Sequence, residues 1–534
     1  MSLLTASPMQ DYALTVDRFL DHGAKWHGGA KVITGGAAGD TAIGYADLRD
    51  RANRLSGALL DLQLDPELAI GDRIATLAWN TQHHVEVWYA AMGAGLVCHT
   101  LNPRLTLDHL IAMIDQAEDR VLAVGAGLRD MADALMAACP VLERLILLDG
   151  EAGLASDDPA GPIGLETLLE ASGRATQWGR FEETAPAGLC FTSGTTGAPK
   201  GVVYTHRSNY LHTARSLQAD AMALTSADTV LVAVPMFHAN AWGLPFAGPA
   251  VGASLVLPGR VTDGARLAEL INTHGVTVAV GVPTVWLGLL DHLDATGGET
   301  PGLERILIGG SSCPDALLRR MESRFGATVQ TSWGMTELSP QGTISPRSDR
   351  PGAAVGSGRP PMGMDLLLTN EAGEPLPDQR NVVGHLKVRG HSVVQIYLGA
   401  SEPAVDPDGW FDTGDLAILD DAGNLTLAGR SKDLIKSGGE WINPVEIEEI
   451  VGALPSIGLV AVIGQADARW GERPVMVIEP AQGQAIEDSA LRASLKGRVA
   501  DWWIPERIVR VETMPLAATG KINKTQLRAT YGGA

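Results

Sequence analysis

Short apolar runs alternate with segments of helical periodicity through the first 350 residues of the chain. Runs at residues 73–78, 121–124 and 305–308 predict buried strands, whereas residues 85–92 and 265–273 have the spacing of amphipathic helices. Such alternation is typical of parallel sheets covered by helices. The pattern therefore predicts an α/β fold with a large N-terminal domain of parallel-sheet αβ subdomains.

The pattern changes near residue 350, where Gly, Pro and Asp become frequent. Short β-like runs at residues 365–368, 385–388 and 416–419 predict a small β-rich subdomain over about residues 350–431. The polar stretch at residues 428–439 contains a Gly pair, and we interpret it as a linker.

A further helix start follows the linker. Asn443 is a good N-cap residue, Pro444 suits the first helical position and Glu446 suits the third. Residues 460–463 and 475–478 predict strands, and residues 488–503 predict a helix. We therefore expect an N-terminal domain over residues 1–431 and a small, mobile α+β domain over residues 432–534.

Composition and charge narrow the functional class. The chain has 534 residues, with 45% hydrophobic and 19% charged, and a formal charge of −21. A chain this acidic is not expected to bind nucleic acid through a broad basic surface. No apolar run is long enough to span a membrane. The four cysteines include no CxxC pair, and Met1–Asp17 lacks a signal pattern. We therefore expect a cytoplasmic location.

One loop, FTSGTTGAPKG at residues 191–201, concentrates hydroxyls, glycines and a lysine. Glycines allow backbone N–H groups to approach an anion, and the hydroxyls and the ammonium group add donors. The loop differs from the P-loop pattern because its lysine is followed by Gly. On these residues alone it is either a phosphate site or a solvated surface loop. The candidate contacts are Thr192, Ser193, Gly194, Thr195, Thr196, Gly197 and Lys200.

Three other segments contain candidate functional residues, but each is a less specific motif than the loop at residues 191–201. Trp333 could stack on a base or lie in the core, and Glu337 could bind Mg²⁺ or remain exposed. Asp415 could accept ribose hydroxyls or cap a turn. Lys521, after Thr-Gly, is by itself an ordinary surface lysine.

These four segments in this order, with Arg430, resemble the adenylate-forming superfamily of acyl-CoA synthetases, luciferases and adenylation domains. The resemblance extends from about residue 20 to 528. It implies two half-reactions that use ATP, Mg²⁺ and coenzyme A. A carboxylate attacks the α-phosphate and releases pyrophosphate, and a thiol then attacks the acyl-adenylate and releases AMP.

The resemblance also implies residue roles. The loop at 192–200 would hold the β- and γ-phosphates, Thr336 the α-phosphate, and Glu337 with Thr192 the Mg²⁺. Lys521 would reach the α-phosphate and the acyl carboxylate. The remaining nucleotide contacts would be Gly310, Ser311, Ser312, Trp333, Gly334, Met335, Asp415 and Arg430.

In this superfamily the C-terminal domain rotates between the half-reactions. The hinge would be Lys432, followed by Asp433. Rotation would remove Lys521 and present a thiolation loop around the coenzyme A channel. That loop would contain Lys436, Gly438, Gly439, Glu440 and Trp441.

The segment PMFHANAW at residues 235–242 resembles the acyl-pocket segment of fatty-acyl-CoA ligases. His238 would lie near the carboxylate of the acid, and Trp242 could gate the acyl tunnel. Val282 would form part of the apolar wall of the pocket. The segment offers no carboxylate for an amino-acid ammonium group. We therefore expect an apolar monocarboxylic acid, as in medium- and long-chain fatty-acid and 3-(methylthio)propanoate ligases.

Three alternatives share these motifs. They are a stand-alone adenylation enzyme that loads a separate carrier protein, a non-catalytic nucleotide-binding relative, and a luciferase-like oxygenase. The presence of both Lys521 and Glu337 disfavours the non-catalytic relative. By analogy with similar ligases, we also expect a homodimer.

Overall fold

The computed structural model describes residues 9–10, 12–149, 161–192, 199–310, 313, 315–348, 351–437, 440–481, 483–484, 486–517 and 521–533. Among these residues, no helix has the length and apolar character needed to cross a bilayer.

The described residues form strands at β1 (Lys31–Thr34), β2 (Thr41–Gly44), β3 (Arg73–Leu77), β4 (Val97–Leu101), β5 (Val121–Val124), β6 (Arg144–Leu147), β7 (Ile163–Gly164), β8 (Pro186–Phe191), β9 (Gly201–Thr205), β10 (Thr229–Val232), β11 (Ser254–Leu257), β12 (Val278–Gly281), β13 (Arg305–Ile308), β14 (Thr328–Gly334), β15 (Gln341–Ile344), β16 (Met364–Thr369), β17 (Gly384–Gly390), β18 (Phe411–Leu419), β19 (Leu425–Arg430), β20 (Ile435–Ser437), β21 (Glu440–Ile442), β22 (Ile457–Asp467), β23 (Gly471–Pro480) and β24 (Arg507–Arg510).

The α-helices of the same residues are α1 (Asp17–Trp26), α2 (Tyr45–Leu60), α3 (Gln82–Gly93), α4 (Leu107–Ala117), α5 (Arg129–Ala138), α6 (Leu165–Ser172), α7 (His206–Ser216), α8 (Leu244–Val251), α9 (Gly264–His274), α10 (Pro283–Thr296), α11 (Asp315–Phe325), α12 (Pro444–Gly452), α13 (Asp488–Leu495) and α14 (Lys524–Tyr531).

Two large, mainly parallel sheets build the first part of the chain. One has eight strands in the order β15-β14-β13-β12-β10-β11-β1-β2, and the other has seven in the order β7-β6-β5-β3-β4-β8-β9. Strands β4, β12 and β13 are buried along their whole length. Continuous apolar runs are expected where helices cover both faces of a parallel sheet. The predicted α/β class is therefore confirmed.

One apolar core joins the two sheets. Leu55 of α2, Trp88 of α3 and Phe246 of α8 pack in the same cluster as Ile74 of one sheet and Val278 of the other. Helices thus fill the space between the sheets. This packing fixes the two sheets relative to each other and holds the strand ends that carry the site.

Two smaller sheets complete the fold. Strands β16 to β19 form a four-stranded antiparallel sheet, in agreement with the predicted β-rich subdomain. The C-terminal sheet has the order β21-β20-β23-β22, with β24 parallel to β23. Asn443 caps α12 by accepting from the Val445 N–H, as its sequence predicts.

Two expectations about the C-terminal region are wrong. The helix predicted at 488–503 ends at Leu495, because Gly497 adopts φ +72°, which a helix cannot continue. The stretch interpreted as a linker contains the end of β19 and all of β20. Ile435 is buried and Lys436 exposed, so the residues alternate as in a half-buried strand.

Candidate active site

Four neighbouring strands end at one edge of the eight-stranded sheet. Strands β10, β12, β13 and β14 lie side by side. His238, Val282, Gly310 and Thr336 follow these strands in that order along the chain. Ligands bind at the carboxyl edge of open α/β sheets, so the topology brings predicted acyl and nucleotide contacts to one place.

Asp415 lies at the centre of the predicted ribose site. It is 2% exposed, and its Oδ1 lies 2.6 Å from Arg430 Nε, its neighbour across the β18–β19 pair. The Trp333 indole N–H donates to Asp415 Oδ2 at 3.0 Å. Burial raises the pKa of Asp415, and the Arg430 charge and this hydrogen bond counteract the rise. Each carboxylate oxygen can accept a second hydrogen bond, so ribose hydroxyls can still bind there.

Trp333 is mostly enclosed. Its side chain is 6% exposed, and a Cβ on Gly342 would lie 2.4 Å from its Cζ3. Glycine at 342 is therefore required by the close approach of the indole. The contact with Asp415 gives Trp333 a role in orienting the carboxylate, and stacking of adenine on its ring stays a prediction.

Thr336 and Glu337 are buried, and residues outside their sequence motif hold them in place through hydrogen bonds. The Tyr204 hydroxyl donates to the Thr336 carbonyl at 2.8 Å, and the Tyr397 hydroxyl donates to Glu337 Oε1 at 3.0 Å. The Val394 N–H donates to the Glu337 carbonyl at 2.8 Å. Burial and the Glu337 charge raise the pKa of Tyr397, so it is a proton donor at neutral pH. The carboxylate of Glu337 therefore has a fixed orientation.

The base of the predicted phosphate loop lies beside Glu337. The Thr192 N–H donates to the Lys200 carbonyl at 2.9 Å, which joins the two ends of the loop. Lys200 Nζ lies 4.9 Å from the centre of the Tyr397 ring, the same tyrosine that binds Glu337. The other predicted loop and base contacts lie outside the described residues: Ser193, Gly194, Thr195, Thr196, Gly197, Ser311 and Ser312.

The predicted acyl-pocket residues also meet. A Cβ on Gly309 would lie 3.0 Å from Trp242 Cη2, and one on Gly310 would lie 3.1 Å from Val282 Cγ1. Trp242 and Val282 therefore close against the backbone of the Gly309–Gly310 pair. Trp242 itself is 9% exposed.

Lys521 is a half-buried residue that approaches this edge from the C-terminal segment. Burial and the Arg430 charge lower its pKa, while the Asp415 and Glu337 carboxylates raise it. Burial and the Lys521 charge lower the pKa of His238 to about 4. Near neutral pH the imidazole of His238 is therefore neutral. The charge of Lys521 thus interacts with one predicted metal contact, Glu337, with the two predicted ribose contacts, Asp415 and Arg430, and with His238 of the predicted acyl site.

The predicted hinge and thiolation loop lie apart from that cluster. Asp433 Oδ1 binds Arg528 Nη2 of α14 at 2.6 Å, and Lys432 is exposed. In the β20–β21 hairpin Lys436 Nζ lies 5.2 Å from the Trp441 ring, and Glu440 is exposed. Gly438 and Gly439 lie outside the described residues.

Two tyrosines that support the site were not predicted. Tyr204 lies on β9, just beyond the phosphate loop, and Tyr397 lies in an irregular segment after β17. Tyr204 follows a motif closely enough to be considered from its position. Tyr397 has no local sequence signal, since its role depends on a tertiary contact with Glu337.

Comparisons with known proteins identify the family of the chain. The AMP-binding enzyme family matches residues 20–398, and the AMP-binding enzyme C-terminal domain matches residues 446–521. Together these matches cover most of the chain. The chain therefore belongs to the AMP-binding enzyme family, and the predicted adenylate-forming superfamily is confirmed.

Relatives that are similar over nearly the whole chain include acyl-CoA ligases. A 3-methylmercaptopropionyl-CoA ligase from Ruegeria lacuscaerulensis is 39% identical over 98% of this chain and 99% of its own length. A medium-chain-fatty-acid–CoA ligase from Ectopseudomonas oleovorans is 38% identical over 97% and 96%. A long-chain-fatty-acid–CoA ligase from Thermus thermophilus is 36% identical over 99% and 98%.

A solved structure gives the same fold. ATP-bound MatB from Rhodopseudomonas palustris superposes with a TM-score of 0.83 at 26% identity, covering 98% of this chain and 99% of that one. Bound ATP in a structure of this fold agrees with the predicted use of ATP.

Proposed function

We propose that the protein is an ATP-dependent ligase that joins a carboxylic acid to coenzyme A. The observation that carries the proposal is the position of Lys521, whose charge interacts with Glu337, Asp415 and His238. A carboxylate oxygen attacks the α-phosphorus, the bond to the β-phosphate breaks and pyrophosphate leaves. The thiol sulfur then attacks the acyl carbonyl, its proton passes to solvent, and AMP leaves.

The first step needs charge neutralisation and alignment more than a general base, because a carboxylate is already nucleophilic. Lys521 neutralises charge at the α-phosphate and the acyl carboxylate, and Thr336 contacts the α-phosphate. Lys200 and the loop that it ends hold the terminal phosphates. Neutral His238 borders the acyl carboxylate without adding positive charge.

Glu337 is the proposed protein ligand for Mg²⁺, together with Thr192. Magnesium in nucleotide sites uses one or two carboxylates together with substrate phosphates and water. A single oriented carboxylate fits that donor set. Bound Mg²⁺ would offset the charge of the triphosphate.

The proposed acid is a monocarboxylate with an apolar tail, of the fatty-acid or 3-(methylthio)propanoate type. Trp242, Val282 and the Gly309–Gly310 backbone would form the apolar wall. The named activities of the relatives support this class.

Release of AMP tests the proposal. The protein is incubated with ATP, Mg²⁺ and coenzyme A, and AMP is measured for straight-chain acids of increasing length and for 3-(methylthio)propanoate. We expect release that requires both an apolar acid and coenzyme A. Adenylate formation without turnover on free coenzyme A would favour loading of a carrier protein instead. Absence of both activities with every acid would overturn the proposal.

We further propose a cytoplasmic homodimer. The four cysteines are free thiols, which suits a reducing compartment. Light scattering on the purified protein tests the oligomeric state, and fractionation of cells tests the location.

A further inference from the structure

The segment between His238 and α8 forms a left-handed turn. Ala239, Asn240, Ala241 and Trp242 have φ of 44°, 54°, 45° and 54°, and Gly243 continues with 78°. This backbone is unfavourable for residues with a Cβ, because the Cβ approaches the following carbonyl oxygen. Asparagine tolerates it better than other non-glycine residues. The turn therefore needs contacts that hold it, and Asn240 is the residue best suited to its centre.

Asn240 connects the turn to the strand that leads into the phosphate loop. Its side chain is 1% exposed, and its Oδ1 accepts from Cys190 Sγ at 3.4 Å. Cys190 lies on β8, and its Sγ is also 3.2 Å from Thr100 Oγ1. The Cys190 thiol thus links the Asn240 side chain to Thr100 on the neighbouring strand β4.

The turn carries the acyl-site residues at its two ends. His238 immediately precedes it and interacts with Lys521, whereas Trp242 closes against Gly309. Any change in the turn would move the carboxylate end and the apolar wall of the pocket together. The phosphate-loop strand is held independently by its pairing with β4 and β9.

We propose that Asn240 is a positioning residue for acid selection, acting through its contact with Cys190 to set the places of His238 and Trp242. The inference rests on the proposed ligase function and extends it to residues that touch neither ATP nor the acid. It assigns to Cys190 a structural contact in the acyl site rather than a redox or nucleophilic role.

Substitution of Asn240 should affect thermal stability and acid selection to different extents. Asn240 Nδ2 has no hydrogen-bond partner within the part of the chain that the structure describes. A buried unpaired donor destabilises the folded state, and glycine accepts positive φ without strain. Asn240→Gly should therefore fold with nearly unchanged thermal stability while the turn loses its attachment to Cys190.

The experiment measures AMP release against acid chain length for Asn240→Gly, Cys190→Ala and Cys190→Ser. We expect Asn240→Gly to raise KM for the preferred acid about tenfold and to flatten the chain-length profile, since pocket discrimination of this size is typical of apolar sites. KM for ATP should change less than about twofold. Cys190→Ala should act in the same direction, and Cys190→Ser, which retains a hydrogen-bond donor, should resemble the wild type.

Two comparisons make the test specific. Cys139→Ala removes a buried thiol from a different core cluster and should keep the wild-type profile. The double variant Asn240→Gly/Cys190→Ala should be no worse than Asn240→Gly alone, because both changes break one contact. The inference would be overturned by an unchanged chain-length profile in the folded variants or by equal increases in KM for the acid and for ATP. Additive effects of the two substitutions would also overturn it. A wild-type protein inactive with every acid would instead overturn the proposed ligase function.

Discussion

Lys521 is the residue on which the proposed first half-reaction depends most directly. Replacement by alanine removes the ammonium group that faces Glu337 and Asp415. We expect adenylate formation to fall at least about 100-fold, while ATP binding and thiolation of preformed acyl-adenylate are retained. Acid-dependent pyrophosphate exchange measures the loss, and Lys496→Ala, at an exposed lysine of the same segment, is the control. Exchange near the wild-type rate would remove Lys521 from the mechanism.

Asp415 gives a prediction about ATP affinity. Asp415→Asn keeps the shape of the side chain but leaves Arg430 without its carboxylate partner at 2.6 Å. We expect ATP affinity to fall about 10- to 100-fold, because charged hydrogen bonds to ribose weaken and Arg430 loses its orientation. Titration calorimetry measures it. Asp412→Asn, on the same strand but exposed, should bind ATP normally, and equal affinity in both variants would contradict the ribose role.

The two perturbed bases predict the pH dependence of adenylate formation. His238 has a pKa of about 4, so it is already neutral at pH 6 and its ionisation should leave no step between about pH 6 and 8. Lys521 acts as a cation, and its pKa lies below the usual 10.5. Activity should therefore fall as pH rises, and earlier than for a free lysine. Lys521→Arg should move the alkaline fall upward, since arginine stays charged. Single-turnover rates against pH test this, and an acidic step abolished by His238→Gln would contradict it.

At the scale of elements, α14 joins the proposed hinge region to Lys521, the proposed catalytic lysine. Arg528 on this helix binds Asp433, and Lys524 binds the Glu448 carboxylate of α12 at 2.7 Å. Lys521 lies shortly before the same helix. We expect Arg528→Ala to cost little stability, about 0–1 kcal/mol, yet to slow adenylate formation more than thiolation, because the helix that positions Lys521 is held less firmly.

Thermal unfolding and the two half-reactions, measured separately, check this expectation. Arg528→Lys retains the charge and should recover much of the adenylation rate. Equal slowing of both half-reactions, or slowing in proportion to lost stability alone, would show that the ion pair has no positioning role.

Strands and helices could be predicted from the sequence where one local property determined their formation. The strand at residues 121–124 is a short, wholly buried apolar run, and the wholly buried strand at 305–308 has three apolar residues after Arg305. The structure places both strands at those residues. The helix at 488–503 was overextended because the conformation of Gly497 outweighs a continuing apolar pattern. The left-handed turn at Ala239–Gly243 could not be anticipated, since its residue composition is ordinary and its conformation depends on contacts with Cys190.

The candidate site shows the same division. Sequence motifs located Glu337, Asp415, Arg430 and Lys521, because their spacing is characteristic of one family. Tyr397 was missed, because the segment that carries it meets Glu337 only in the folded chain. The motifs thus indicate candidate reacting groups, whereas the residues that orient those groups become visible only in the tertiary structure.

At the scale of the whole molecule, we propose that the two half-reactions need different domain orientations. The described arrangement has Lys521 beside Glu337 and Asp415, while Lys436 and Trp441 of the proposed thiolation loop are exposed. We therefore propose that it corresponds to the adenylate-forming state. Rotation about Lys432 would exchange these two sets of residues.

Lys432→Pro tests whether that rotation is required. Lys432 lies in the 3₁₀ turn Ser431–Asp433. Residues in such a turn have φ near −60°, which is close to the value that proline fixes. The substitution should therefore preserve the adenylate-forming orientation and restrict departure from it. We expect acyl-adenylate to form at a rate within about threefold of the wild type, and transfer to coenzyme A to slow about 100-fold. Rapid-quench measurement of each half-reaction distinguishes the two effects. Lys432→Ala, which removes the side chain but leaves φ free, should retain both. If proline left thiolation unchanged, a single lysine position could not be the axis of the domain rotation, and Lys521 and the β20–β21 hairpin would have to reach their substrates in one orientation.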